Sequence, residues 1–222
     1  MMQAETVAVL TGKTAPFGPK GEPSAYRKVA TAETQEIDSL GIVGDEQADP
    51  RYHGGPDKAI LQYASEHYPL WQQEQPHLRA EFRDAGAFGE NISSIGMDET
   101  SVCIGDRFRL GTAVVEVSQA RQPCWKLGHR FGDAGMVEAV VRCARSGWYY
   151  RVLEPGSVAA GDEIELLEQP FPQWPTAKVF ELLIGGGRDK SALRALSKLD
   201  PLSINWRERA RRKLRNLKGR DD

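Results

Sequence analysis

The sequence predicts a mostly β, barrel-like domain with a few inserted helices, followed by a small all-α C-terminal domain. Three observations carry that expectation. Short β-like runs punctuated by glycine and proline fill the chain up to Gln169. Only two helical patterns interrupt them. Beyond Gln169 the character changes to proline and then to three helical patterns in succession.

Thr6 to Leu10 (T-V-A-V-L) reads as the first strand and Ala59 to Tyr63 as another. Arg107 to Leu110 and Ala113 to Ser118 flank Gly111-Thr112, a glycine turn between two β-branched or aromatic runs, and so read as a hairpin. Trp148 to Leu153 and Glu163 to Leu167 look like a closing strand pair, with turns at Glu154-Pro155-Gly156 and Ala160-Gly161-Asp162. Ser65 to Gln73 reads as a helix capped by Ser65. Asp133 to Ala144 spaces Met136, Val137, Val140 and Val141 at helical intervals, with Gly147 beyond its end. Many short strands with few helices predict a barrel or a rolled sheet.

Pro170, Pro172 and Pro175 mark a linker, since proline continues neither a helix nor a central strand. The expected organisation is therefore a β domain over residues 1–169, a linker over 170–175 and a three-helix unit over 176–222. Thr176 can cap Ala177 to Ile184, which Gly185-Gly186-Gly187 stops. Ser191 to Leu199 aligns Leu193, Leu196 and Leu199, and Asp200-Pro201 ends it. Ser203 can cap the last helix, whose stripe is Trp206, Ala210, Leu214 and Leu217, with five arginines on the remaining surface.

Composition narrows the function classes. Apolar residues are 40% and charged residues 27%, ordinary values for a globular protein. No run approaches the length of a transmembrane helix, and Met1 to Leu10 has no basic segment of the kind that opens a signal peptide. Three cysteines without a close pair argue for a reducing compartment, so the cytoplasm is expected. Residues 173–222 hold 13 basic against 6 acidic side chains, whereas the whole chain is −2. An acidic main domain with a basic tail could self-associate as a homodimer or attract an acidic partner. The arginine-rich helix could touch nucleic acid phosphates, but an apolar stripe with charged flanks is more often a solvated face, and nucleic acid is not expected as a partner.

The densest chemical signal is Val117 to Leu127 (V-S-Q-A-R-Q-P-C-W-K-L). A strand ends near Ser118 and the chain turns through Arg121, Gln122 and Pro123 to Cys124. Positive charge from Arg121 and Lys126 favours a thiolate, the form that attacks electrophiles, carries persulfide sulfur or ligates a soft metal. The plain alternative is a small buried hydrophobe, the better reading for Cys103 and Cys143. A second cluster, Arg51-Tyr52-His53-Gly54-Gly55-Pro56-Asp57-Lys58, combines flexible glycines with cations and could hold a phosphate, although a sharp turn explains the glycines equally well. His53 has no second His or Cys at zinc-site spacing. Asn91, in Phe88-Gly89-Glu90-Asn91, can both donate and accept along a purine- or pterin-like edge, or simply serve a turn. Thr11-Gly12-Lys13-Thr14 lacks the spacing of a phosphate-binding P-loop.

Taken in order, Gly44-Asp45-Glu46-Gln47, His53 to Ala59, Phe88-Gly89-Glu90-Asn91, Val117 to Leu127, Gly147-Trp148-Tyr149 and Val152 to Gly156 resemble the MOSC family, named for the molybdenum cofactor sulfurase C-terminal domain. The likeness runs from Thr6 to Leu167 and is nearest to the family's YiiM-like bacterial members, whose three-helix extension the tail also resembles. It implies a twisted, barrel-like MOSC fold and a molybdopterin-type molybdenum cofactor. It also implies a cysteine, here Cys124, as molybdenum ligand or sulfur carrier. Relatives reduce N-hydroxylated compounds such as hydroxylaminopurines and amidoximes. The resemblance makes Lys13, Asn91 and Arg121 candidates for cofactor contacts; Arg51, His53, Gly54, Gly55 and Ser118 join them. One departure is Ala120, where these proteins often carry proline. The expected activity is a molybdenum-dependent oxidoreductase acting on a small N-hydroxylated substrate. With no flavin, haem or iron–sulfur motif in the sequence, electrons must come from a separate reductase. The alternative is a non-catalytic carrier of sulfur or cofactor through Cys124.

Overall fold

The computed structural model describes residues 4–49 and 54–218. Strand β1 (Ala4–Thr11) is followed by two short strands, β2 (Ala15–Pro16) and β3 (Pro23–Ser24), which pair as a small hairpin. Next come β4 (Val29–Thr31), β5 (Gln35–Asp38), β6 (Gly41–Ile42) and β7 (Ile60–Ala64). Helix α1 (His67–Glu74) precedes β8 (Ile92–Ile95), and β9 (Arg107–Leu110) and β10 (Ala113–Ala120) follow. Helices α2 (Trp125–Phe131) and α3 (Gly135–Cys143) come next, then β11 (Trp148–Glu154), β12 (Gly156–Val158) and β13 (Glu163–Glu168). The chain ends in α4 (Thr176–Leu183), α5 (Lys190–Leu196) and α6 (Ile204–Lys218).

The principal sheet runs β13-β9-β10-β11-β7-β8-β1-β4, and β13 also pairs with β1, so seven strands close into a barrel with β4 attached outside the ring. Among the described residues only β7 and β8 run parallel; the crossover between them carries α1 and lets the ring close. Closure removes open edges, which explains why so many short strands persist in one sheet. Alternation along the strands fills the interior with Ile60, Ile92, Phe108, Val115, Val117, Trp148 and Tyr150. A second apolar cluster, including Tyr63, Trp71, Phe82, Phe88 and Phe131, packs outside the ring under α1, α2 and α3.

The predicted hairpin is present with the expected turn, Ala113 opposite Leu110. Trp148–Glu154 and Glu163–Glu168 are strands but do not pair with each other: β11 lies between β10 and β7, and β13 closes the barrel between β9 and β1. Barrel closure separates neighbours in sequence that a flat meander would place side by side. Helix α2 is not foreshadowed by the sequence reading, which turns the chain through Arg121, Gln122 and Pro123 to Cys124 and assigns no element immediately after it. It is one short helix ended by Gly132 at φ +62.

The expected caps also differ. Glu66, not Ser65, precedes α1 without a side-chain cap, and the Thr176 hydroxyl bonds the Glu99 carbonyl at 3.2 Å instead of capping α4. Ser203 precedes α6 with its hydroxyl unpartnered, while Asp189 caps α5 through Ser191 and Ala192. The expected linker is docked: Trp174 is buried, its carbonyl accepts from Ile104 N at 3.0 Å, and Pro175 bridges Cys103. Val179, Phe180, Leu193, Leu196, Trp206 and Ala210 belong to the same apolar cluster as the barrel interior. The three C-terminal helices thus extend the barrel's core.

Candidate functional site

At the rim of the barrel, the end of β10 delivers Arg121, Gln122 and Cys124 to a half-open cavity of about 90 Å3. Three other chain segments complete its wall. Tyr26 and Lys28 come from before β4, Asp45 to Ala48 from after β6, and Phe88, Gly89 and Asn91 from before β8. Lys58, Leu61, Lys126 and Tyr149 add to it. Leu61 and Tyr149 are paired neighbours on β7 and β11, so this face of the sheet points away from Trp148 and Tyr150 in the barrel interior.

Cys124 stands immediately before α2 in extended backbone, φ −129. Its thiol is half-buried, and none of the three cysteines is in a disulfide. It lies within electrostatic range of Arg121, Tyr26 and Tyr149. Arg121 is the most constrained group of the wall. Its backbone N–H donates to Gly147 O at 2.9 Å. That contact requires Gly147, which sits at φ +74 with its α-carbon so close to β7 that a Cβ would lie 2.4 Å from Gln62 O. One guanidinium nitrogen, Nη2, donates to Phe88 O at 3.2 Å and to Tyr26 Oη at 3.3 Å. The other, Nη1, is buried without a partner in a residue 4% exposed.

Asp45 organises the opposite wall. It accepts from Gly12 N at 2.7 Å, from Asn91 Nδ2 at 2.9 Å and from Lys28 Nζ, which lies 2.5 Å from both carboxylate oxygens. Burial lowers the pKa of Lys28 against the opposing pull of Asp45. Burial also lowers that of Lys58 and pushes the Tyr26 phenol up to about 12. Glu90, fully buried behind the wall, accepts from Gly86 N at 2.7 Å, Phe88 N at 3.1 Å and the Tyr68 hydroxyl, fixing the loop that carries Phe88 and Asn91.

The structure brings Cys124, Arg121 and Asn91 together among the residues expected from sequence. Asn91 is already engaged: Oδ1 accepts from Leu61 N at 3.2 Å, and Nδ2 faces Leu10 O and Asp45. Its amide therefore ties β1, β7 and Asp45 into the wall. Ser118 is buried outside the cavity, its hydroxyl 2.5 Å from Asp57 O and 3.1 Å from Tyr149 O. Lys13 points to solvent, paired with Glu46 at 3.2 Å, and of the two only Glu46 reaches the cavity. Gly54 and Gly55 are outside the wall; Gly55, at φ +87, opens the single turn Pro56–Lys58 that places Lys58 in it. Arg51 and His53 lie outside the described residues. Among the described residues no three His, Cys, Asp or Glu side chains gather as a metal site. Sequence reasoning assigned no task to Tyr26, Lys28, Asp45, Glu90 or Tyr149. Glu90 had a signal, lying inside the quoted Phe88 to Asn91 segment; Lys28, between Arg27 and Val29, had none.

The shape of this chain recurs in known proteins. The model of the MOSC domain matches residues 49–165. Protein YiiM of Escherichia coli (strain K12) is 42% identical over 163 residues, 73% of this chain and 72% of its own length. A protein named Reductase, from Gibberella moniliformis, is 42% identical over 142 residues, covering 64% of this chain but only 25% of its own length. The crystal structure of YiiM from Geobacillus stearothermophilus superposes with a TM-score of 0.79 at 30% identity, over 95% of this chain and 99% of that one. The fold agrees over 95% of the chain and the sequence over 73% of it, and the chain belongs to the MOSC domain family as a YiiM-like member.

Proposed function

We propose that this protein is a molybdenum-cofactor-dependent reductase of N-hydroxylated compounds, with Cys124 as the protein ligand to molybdenum. The observation that carries the reading is Arg121. A buried guanidinium with one nitrogen unpartnered, in the wall of a cavity that also holds a thiol, calls for an anion with hydrogen-bond acceptors. A pterin cofactor with a phosphate meets that demand. The donor chemistry fits as well: thiolate is a soft ligand suited to molybdenum, and a single protein sulfur is enough when the remaining ligands arrive with the cofactor. The family itself is associated with molybdenum cofactor enzymes, and one relative is named a reductase.

When bound, the cofactor supplies the two-electron chemistry that removes oxygen from nitrogen. The chain's own residues bind and orient. Arg121, Lys58 and Lys126 neutralise negative charge, and Cys124 anchors the metal end. Phe88 and Leu61 contribute apolar wall, and Asn91 and Asp45 keep the wall in place. Electrons come from a separate reductase protein, and a reducing compartment keeps Cys124 a thiol.

The test is molybdenum and pterin content after expression in a cofactor-competent host, beside Cys124→Ala. The expected result is near-stoichiometric molybdenum in the parent and none in the variant. N-reduction with a reconstituted electron donor should likewise be confined to the parent. A Cys124-linked persulfide, with no molybdenum and no turnover, would replace this reading with the sulfur carrier.

A further inference from the structure

Reducing a hydroxylamine consumes protons as well as electrons: R–NHOH + 2e⁻ + 2H⁺ gives R–NH2 and H2O. The N–O bond breaks, the oxygen leaves as water, and one proton must meet that oxygen as the bond breaks. The electrons come from the external reductase through the cofactor; the proton needs a donor in the cavity wall.

The wall offers few suitable groups. Arg121 holds its proton at any working pH. The Tyr26 phenol, pushed up to about 12 by burial, is a poor acid, and burial raises Tyr149 likewise. Glu46 is held below the usual carboxylate range by hydrogen bonds, first that from the Thr14 backbone N–H, and so carries no proton at neutral pH. Burial lowers the pKa of two ammonium groups in the wall, Lys58 and Lys28, and Lys28 is held by a buried carboxylate. Its side chain is 7% exposed and gripped by both oxygens of Asp45, itself 5% exposed. Asp45 is in turn fixed by Gly12 N and Asn91 Nδ2. A long flexible side chain is thus held at one place in the wall. Burial, the dominant influence on this ammonium, lowers its pKa from the ordinary lysine value, which is the direction a general acid needs.

The geometry points to Lys28, positioned by Asp45, as the general acid that protonates the departing oxygen, an inference that rests on the reductase reading above. Lys28 then regains its proton from solvent through the open side of the cavity, and the nitrogen takes the second proton from water. Asp45 is a positioning residue. The groups facing Lys28 are Asp45 and Glu46 after β6, Glu90 before β8, and Lys58 before β7. Arg121, Cys124 and Lys126 share its cavity from the end of β10 and α2, and Arg27, Glu81, Asp84 and Arg130 line the neighbouring cleft on its other side.

Lys28→Arg tests this, because arginine keeps the ion pair with Asp45 but gives up no proton. The variant should fold and carry molybdenum and pterin at the parent's level. Its turnover should fall about 100-fold or more, the usual contribution of general acid catalysis, and the alkaline limb of the parent's pH profile should vanish. In the unloaded chain, side-chain NMR of Lys28 should show a titration below the ordinary lysine range. Loaded Lys28→Arg with parental turnover, or with slow turnover on an unchanged pH profile, overturns the assignment. Loss of cofactor from that variant would make Lys28 a binding residue instead. Absence of molybdenum and pterin from the parent itself would remove the reductase reading and this one with it.

Discussion

Replacing Glu90 by alanine should destabilise the fold far more than its position in a loop suggests. The carboxylate is fully buried and serves three donors: Gly86 N at 2.7 Å, Phe88 N at 3.1 Å and the Tyr68 hydroxyl. Leaving a buried donor without a partner costs about 1–3 kcal/mol, more where the lost acceptor was charged. Partial rescue by water at the Gly86 end lowers the total, so the expected loss is about 3–6 kcal/mol, a large part of the 5–15 kcal/mol (roughly) that holds a typical domain together. Glu90→Gln keeps the shape and one acceptor and should lose about half as much. The assay is urea unfolding followed by tryptophan fluorescence, read at matched slope. Phe88, Gly89 and Asn91 belong to the cavity wall, so cofactor retention should fall in step with stability across the two variants. A loss below about 1 kcal/mol in Glu90→Ala would refute the claim that this carboxylate anchors the loop.

Two further predictions concern the C-terminal helices. Trp206 is buried in the core shared with the barrel, so Trp206→Ala should cost about 3–5 kcal/mol and lower a single unfolding transition for the whole chain; two separated transitions by calorimetry would contradict the shared core. Asp189 caps α5, and hydrogen bonds, first that from Ala192 N, hold its pKa below the usual carboxylate range. A depressed folded-state pKa gives stability that is complete above the unfolded value near 4 (roughly) and lost as pH falls through the folded one. Asp189→Ala should therefore lower the melting temperature at pH 6 and do so much less at pH 2, measured by circular dichroism.

What could be read from the sequence was whatever depends on neighbours in the chain. The Gly111-Thr112 hairpin, the helix around Met136 to Val141 and the Trp206–Ala210 stripe follow from spacing alone, and the structure has all three. The Cys124 thiol after a strand and the nearby Arg121 were equally legible. The pairing of β13 with β9 and β1 was not, because barrel closure is a property of the whole ring and nothing in Glu163 to Glu168 names its partners. The Asp45 hub was hidden for the same reason: Gly12, Lys28 and Asn91 come from three distant segments. Asn91 illustrates the limit well. Its amide suggested ligand recognition, yet its hydrogen bonds are spent on Leu10, Asp45 and Leu61. The docked Trp174 shows another: prolines promised a linker, but a buried indole overrides them.

The way charge is handled separates scaffold from site. Three carboxylates in the interior find their donors within the chain: Glu90 has three, Glu99 takes His67 Nε2 and Gly147 N at 2.6 Å each, and Asp45 binds four hydrogens from three segments. Arg121 differs from these carboxylates. Its backbone is locked onto Gly147 and half of its guanidinium is satisfied, yet Nη1 is left buried and unmet beside the cavity. An unmet buried donor on a permanent cation is costly, and among such donors the one on Arg121 lies in the cavity wall. Its neighbours Lys58 and Lys126 add charge of the same sign to the wall. On the proposed reading an anion completes this wall and the thiol of Cys124 holds its metal.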